Sequence, residues 1–412
     1  MTAASALDPI FVHASPRSGS TFFFNVLRRN RSLMCFNEAI NDAIGYWGKY
    51  STAQLSKRRK WDPNHLFLDQ DDFVEVVQAW DAIRNLYPPS PRFQNYVPAN
   101  GTLPPNLRIY LSGLIDFARI QGKRPAICEI YSRGRAGALR DAFGGFHIAQ
   151  YRDPLSQFGS FYKPLAEASE TYFLVFPLME LGISGNHPLY LLIPETWRVP
   201  VLPWPADDAA QRWASTVKYL SLVTSPRMDT PEKLFRWHLF SWVFGNLAAI
   251  SYSDFILDTD RLYDDHEYRN SVIDGLTPEL GAPPDFNGLN KFSRYYEFEA
   301  FDTAIICNQV ESITREALSS GQLDEAVRTL RPKPPTIPVA RAVELLIKKI
   351  HASLASMEAS AKRRRISVED WKVIAEKNRR IWFRPGLRVI AQTVYPLAEP
   401  IVRAARRAGI WN

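Results

Sequence analysis

Residues 10–27, "IFVHASPRSGSTFFFNVL", constrain the fold more than any other stretch. A short apolar run, Ile10 to Val12, reads as a buried strand. The apolar pattern restarts with Phe22, Phe23, Phe24, Val26 and Leu27 and reads as an amphipathic or buried helix. Between them lie Ser15, Pro16, Arg17, Ser18, Gly19, Ser20 and Thr21. A strand, a tight loop and a helix N-terminus form a seat for an anion, because free backbone N–H groups converge there and the helix dipole adds partial positive charge. Arg17 adds a full charge. The competing reading is a turn that only caps the helix, with Arg17 on the surface.

Further along, apolar spacing predicts mostly helix over 45–120, around "DDFVEVVQAWDAIRNLY" and "NLRIYLSGLIDFARIQG", split by a Pro- and Asn-rich stretch at 88–105. Strands are expected at 126–130 ("AICEI"), 146–150 ("FHIAQ") and 254–258 ("DFILD"), with helices near 135–142, 208–224 and 231–250. Residues 165–206 are aromatic and proline-bearing and read as an insertion around a pocket. Strands alternating with helices predict an α/β fold, with a central, mostly parallel sheet and helices on both faces. In such sheets ligands sit at the carboxyl ends of the strands. Arg17 and Arg152 both follow predicted strands, so they are expected to share one rim.

The division expected is an α/β domain over 1–330, a proline-dense linker at 331–340 ("RPKPPTIPVA") and a basic helical tail over 341–412. The net charge of +7 is concentrated there: residues 339–412 hold 16 Lys and Arg against 6 Asp and Glu, so the remainder is slightly acidic. Such a tail suits an anionic membrane surface, or it caps the body as a helical layer. Three scattered cysteines, Cys35, Cys128 and Cys307, fit neither a disulfide framework nor a metal pattern. No secretory leader is recognisable, and the longest apolar run, near 173–183, contains Pro177 and Glu180 and is too short to span a bilayer. The expected location is the cytoplasm, with peripheral contact at the inner membrane face as an option for the tail. No nucleic-acid partner is expected.

A nucleoside-triphosphate loop would read G-x-x-x-x-G-K-[ST]. This one lacks the first Gly and the Lys but keeps Gly19 followed by two hydroxyl residues. A second element, "QYRDPLSQFGSFY", delivers Arg152 at a strand end, with Ser156 and Ser160 four and eight residues later. Arg and a helix-borne Ser together hold phosphate by charge-assisted hydrogen bonds.

In this order, each after a strand, the two elements resemble the sulfotransferases that use 3′-phosphoadenosine 5′-phosphosulfate (PAPS). "PRSGST" is similar to that family's 5′-phosphosulfate loop and "YRDPLSQFGS" to its 3′-phosphate motif. "DFILDTDRL" is similar to a late strand, although the usual Glu-Asp-Leu has become Asp258 to Leu262. The resemblance spans roughly 8–300. It implies a three-layer α/β sandwich related to nucleotide kinases, with a P-loop-like nucleotide site. It also implies transfer of a sulfuryl group to an acceptor hydroxyl or amine, leaving adenosine 3′,5′-bisphosphate (PAP). On it, Arg17 neutralises the leaving phosphate. Pro16 to Thr21 (Pro16, Arg17, Ser18, Gly19, Ser20, Thr21) cradle the 5′-phosphate, and Arg152 with Ser160 hold the 3′-phosphate. Lys291 or Arg294 adds a cationic contact. Glu38 in "MCFNEAINDAI" is the expected catalytic base, against the plainer reading of an ordinary surface or capping carboxylate.

No metal is required by this chemistry. His13, His147 and His238 read as core histidines, while Arg133 and Arg135 are placed near the rim as contacts for an anionic acceptor or the sulfate. The long insertions and aromatic content favour a carbohydrate or glycolipid acceptor. Two other classes stay open: a nucleotide-dependent kinase or NTPase on a related scaffold, and a non-catalytic nucleotide-binding relative acting as a membrane-associated interaction protein.

Overall fold

Five parallel strands form the central sheet in the order β2-β3-β1-β4-β5: β1 Ile10–His13, β2 Leu33–Asn37, β3 Arg124–Glu129, β4 Phe146–Tyr151 and β5 Phe255–Asp258. This computed structural model describes residues 7–382 apart from 43, 45–72, 95, 99, 170, 206, 289–294 and 361–362. The helices that matter below are α1 Ser20–Arg28, α2 Val74–Ile83, α3 Pro105–Ile120, α4 Ala136–Phe143, α5 Pro154–Ala168, α6 Tyr172–Ile183, α7 Ala209–Val223, α8 Thr230–Ser251, α9 Thr259–Asp264 and α10 His266–Leu280. After α10 come α11 Thr303–Ser319, α12 Gln322–Arg328, α13 Val339–Glu358 and α14 Val368–Trp382.

The period-2 alternation of β1 sorts its side chains between two layers. Ile10 and Val12 join Phe22, Phe23, Phe24, Val26 and Leu27 of α1, and Val272 and Leu276 of α10. Phe11 points to the other face, against Val76 of α2 and Tyr110, Leu111 and Leu114 of α3. The arrangement is α/β, with helices on both faces of a wholly parallel sheet. Fully burying a Phe is worth about 1.5–3 kcal/mol. Three in succession therefore hold the start of α1 firmly against the sheet, and with it the loop that precedes it.

A third and largest core lies beyond the strand ends, around Ala14, Ile130 and Tyr151, and is built from α5, α6 and α8. The aromatic residues of 165–206 are spent here. Phe176 packs 5.7 Å from Phe93 and 5.4 Å from Tyr131, and Trp204 packs 5.4 Å from Phe93. A small crevice of about 10 Å³, room for roughly one water molecule, lies among Pro16, Gln157, Phe161, Phe176 and Trp242.

The start of the basic tail shares this core. Val343, Leu346 and Ile350 of α13 are buried in it, as is Trp371 of α14. The preceding proline-dense stretch is pinned by the N–H groups of Thr336 and Ile337, which donate to Ser251 O at 2.7 and 3.1 Å. A second, two-stranded parallel sheet pairs β6 Tyr295–Phe298 with β7 Arg363–Ile366. Residues 383–412 lie outside the described part. Among the described residues no helix is long and apolar enough to cross a membrane.

Several elements escaped the sequence reading. β2 is the main one: Leu33 to Asn37 lacks β-branched residues, and its strand state comes from pairing along all five positions with β3. β6 and β7 depend likewise on each other, across 64 residues of intervening chain, rather than on local pattern.

Candidate anion site at the β1–β4 switch point

The chain leaves β1 towards β2 on one side of the sheet and leaves β4 towards β5 on the other. β1 and β4 are neighbours, so the crevice between their carboxyl ends is a topological switch point, the usual ligand position in open parallel sheets. Arg17 lies just beyond β1 and Arg152 just beyond β4. The two arginines, 135 residues apart, therefore meet: Arg152 Nη1 donates to Arg17 O at 2.9 Å.

The β1–α1 loop is tightly built. The Ser18 hydroxyl donates to Ser15 O at 2.7 Å. Gln157 Nε2 of α5 donates to Ser15 Oγ at 2.6 Å and to Pro16 O, and Gln150 Nε2 of β4 donates to Ser18 O at 3.2 Å. Gly19 is the N-cap of α1 at φ 87°, and a Cβ there would sit 2.8 Å from Thr259 Cγ2, so both backbone and space require glycine. Gly19 brings no capping side chain, and no acidic residue lies in the first turn of α1. The next helix on the rim differs. The Asp153 carboxylate caps α5, accepting from the Leu155 and Ser156 N–H groups at 2.8 and 2.9 Å. The N-terminal field of α1 is answered by no side-chain cap or first-turn carboxylate, while that of α5 is answered by Asp153.

Arg17 Nε donates to Ser160 Oγ at 2.9 Å, and its guanidinium lies over the Phe173 ring at 5.1 Å. Arg152 Nη2 donates to Ser156 Oγ at 3.0 Å, and its Nε lies 3.8 Å from Asp260 Oδ1. Arg17, Arg152, Ser160, Gly19, Ser20 and Thr21 are all half-buried, whereas Pro16 and Ser18 are buried. Arg17 and Ser160, which the motif reading assigns to opposite ends of a nucleotide, are in direct contact here. Arg17 has φ 62° and Glu38 φ 44°, and they share this left-handed region with Ser90 and Ser169 alone among the described non-glycine residues. Such conformations cost about 1–3 kcal/mol each and cluster at functional sites.

Glu38 follows β2, two strands away from β1 in the sheet, a lateral distance of about 10 Å by normal strand spacing. It is half-buried and accepts from Asn41 Nδ2 at 2.7 Å, and burial raises its pKa against the hydrogen bond from Asn41. Between Glu38 and the loop stands Glu129 at the end of β3. Glu129 is 2 % exposed, and its Oε1 accepts from the Ile40 N–H at 2.8 Å. Burial, joined by the nearby Glu38 carboxylate, pushes its pKa well above the carboxylate range. Glu129 carried no role in the sequence reading, although "AICEI" offered a signal: a carboxylate ending an otherwise apolar buried strand.

Arg133 and Arg135 are corrected by the structure. Arg133 is buried and pairs with Glu180 at 2.7 Å, inside a group completed by Ser241 and Tyr190. Arg135 is wholly buried and donates to the carbonyls of Pro91, Gln94 and Tyr131. Burial lowers its pKa to about 10. Both are internal struts with protein partners, Arg133 at the wall of the crevice that Pro16 and Gln157 also line. The histidines are core residues: His13 links Ser132 (2.8 Å) to His147 (2.9 Å), and His238 bonds Pro154 O at 2.9 Å. Burial lowers the pKa of all three, to about 4 for His147 and about 3 for His238. Lys291 and Arg294 lie outside the described residues.

Asp258, Asp260 and Lys349 complete the rim. Lys349 Nζ of α13 lies 2.6 Å from Asp258 Oδ1 and 3.0 Å from Asp260 Oδ2. The tail composition gave no hint that one of its lysines is buried here. Compared with family models, curated proteins and solved structures, the chain matches none.

Proposed function

We propose that this chain is a sulfotransferase, moving a sulfuryl group from PAPS to a hydroxyl of an acceptor, with a carbohydrate or glycolipid as the acceptor class. The observation that carries the reading is the meeting of Arg17, Arg152 and Ser160 at the uncapped N-terminus of α1, at the switch point of a parallel sheet. That donor set fits a doubly phosphorylated nucleotide. It pairs one helix N-terminus, which favours a tetrahedral anion, with two guanidinium groups that each offer several donors.

PAPS supplies the sulfuryl group, whose bond to the phosphate oxygen breaks as the acceptor oxygen bonds to sulfur. The N–H groups of Ser20 and Thr21 and the Arg17 guanidinium take up the charge that develops on the departing phosphate oxygen, as fixed donors do in phosphoryl transfer. Arg152 and Ser160 orient the 3′-phosphate. Glu38 accepts the acceptor's proton. Burial raises its pKa, which makes its carboxylate a stronger base than an exposed one. For Glu38 to serve, the attacking hydroxyl must lie within hydrogen-bond reach of Glu38 and in line with the sulfur, so the sulfuryl group must extend from the β1 loop across the end of β3.

Calorimetric titration with PAP tests the nucleotide site. Binding in the micromolar range supports the reading, and no binding at millimolar PAP overturns it. Transfer of labelled sulfate from PAPS to a panel of sugar, glycolipid and phenol acceptors then tests the reaction.

A further inference from the structure

The basic tail was read as a separate membrane-facing or capping segment. One of its charges lies inside the rim. Lys349, 11 % exposed, sits between Asp258 and Asp260. Asp260 in turn faces two ways. Its Oδ2 accepts from Lys349 and from the Asp153 N–H, while its Oδ1 stands 3.8 Å from Arg152 Nε. Four residues on, the Ser353 hydroxyl donates to Asp153 Oδ1, the oxygen that caps α5, and Tyr295 OH donates to Asp153 Oδ2 at 2.7 Å. One face of α13 therefore grips the β4–α5 and β5–α9 junctions together.

The distances order the strengths. Charge-assisted N–H···O contacts are normally about 2.7–2.9 Å. The Lys349 contacts lie at or near that range, and the Arg152 contact is longer. Asp260 is thus held mainly by Lys349 and the Asp153 N–H. Arg152 is left to reach the Arg17 carbonyl and Ser156.

We infer that Lys349 is a positioning residue for Arg152, acting through Asp260, so that helix α13 is coupled to anion binding at the β1–β4 crevice. This rests on the PAP-binding reading above. Without the Lys349 charge, Asp260 closes on Arg152 and competes with the anion for it. Without the Asp260 charge, Arg152 is released to the anion.

The test is a double-mutant cycle on the full chain, reading the Kd for PAP by calorimetry for wild type, Lys349→Met, Asp260→Asn and the pair, with Lys349→Arg as a conservative rescue. Lys349→Met is expected to weaken PAP about tenfold, Asp260→Asn to strengthen it about threefold, and Lys349→Arg to stay near wild type. In the Asp260→Asn background the Lys349→Met effect should vanish. The inference is overturned if Lys349→Met costs the same in both backgrounds, which would mark a general field effect, or if it changes nothing. Asp260→Asn keeps the proposal testable should Lys349→Met not fold, since weaker or unchanged PAP binding by Asp260→Asn also overturns it. Failure of the wild type itself to bind PAP overturns the nucleotide reading as well, and is a distinct outcome from binding that ignores Lys349.

Discussion

Two pairs of arginines follow parallel strands in this molecule, and they do opposite things. Arg17 and Arg152 follow β1 and β4, are half-buried, and are met mostly by hydroxyls and a main-chain carbonyl. Arg133 and Arg135 follow β3, are almost wholly buried, and are met by a carboxylate and by carbonyls of the chain itself. Position after a strand is the same for both. What separates them is the degree of burial and the closeness of the groups around each charge. Arg133 is in direct contact with a buried carboxylate and serves the architecture, whereas Arg152 stands 3.8 Å from Asp260 and Arg17 lies over Phe173, both half-buried.

The sharpest way to break this contrast is to remove a member of the buried pair. Arg133→Met leaves Glu180 charged and enclosed, and the expected loss is about 3–5 kcal/mol of folding stability, read from urea melts. A loss under 1 kcal/mol would mean that Arg133 is not a strut. Arg17→Ala and Arg152→Ala should behave in the reverse sense. Each is expected to weaken PAP about a hundredfold, or about 2.7 kcal/mol, with little change in the urea midpoint. If either variant bound PAP as wild type does, the two pairs would no longer differ in kind.

Acid sharpens the comparison from the core side. Folding holds the His147 and His238 pKa values, about 4 and about 3, below the ordinary imidazole value. The unfolded chain then binds more protons between those values and pH 6.5. This contribution is nearly complete above pH 6.5 and falls as the pH drops towards 4, by about 2 kcal/mol for each of the two histidines at pH 5. Urea melts at pH 7 and pH 5 check this, and a His147→Gln variant should show a shallower fall. Smallest of all, Ser160→Ala should weaken PAP only about threefold to tenfold, because it removes one neutral hydroxyl while both cations remain. A loss as large as that of Arg17→Ala would make Ser160, not the arginines, the centre of the site.

Much of the frame was legible beforehand. β1, β3, β4 and β5 and the helices at 136–143, 209–223 and 230–251 lie within a few residues of where apolar period and turn residues place them. The loop at 15–20 was legible too, because Gly19 and the hydroxyl run between two apolar runs leave few other conformations. β2, Glu129 and Lys349 were not. β2 is held by β3 rather than by its own composition, Glu129 matters through the Ile40 N–H that folding brings to it, and Lys349 looks like any other lysine of a basic helix until Asp258 and Asp260 surround it.

By itself, the order of residues determined an α/β chain with a tight, glycine- and hydroxyl-bearing loop after its first strand, since periodicity, glycine and proline act over a few residues. Which charges serve that loop was decided only by tertiary structure. Whether Arg17, Arg133, Arg152 or Lys349 is spent inside the protein depends on partners contributed from far along the chain, and only packing determines those distances and the degree of burial.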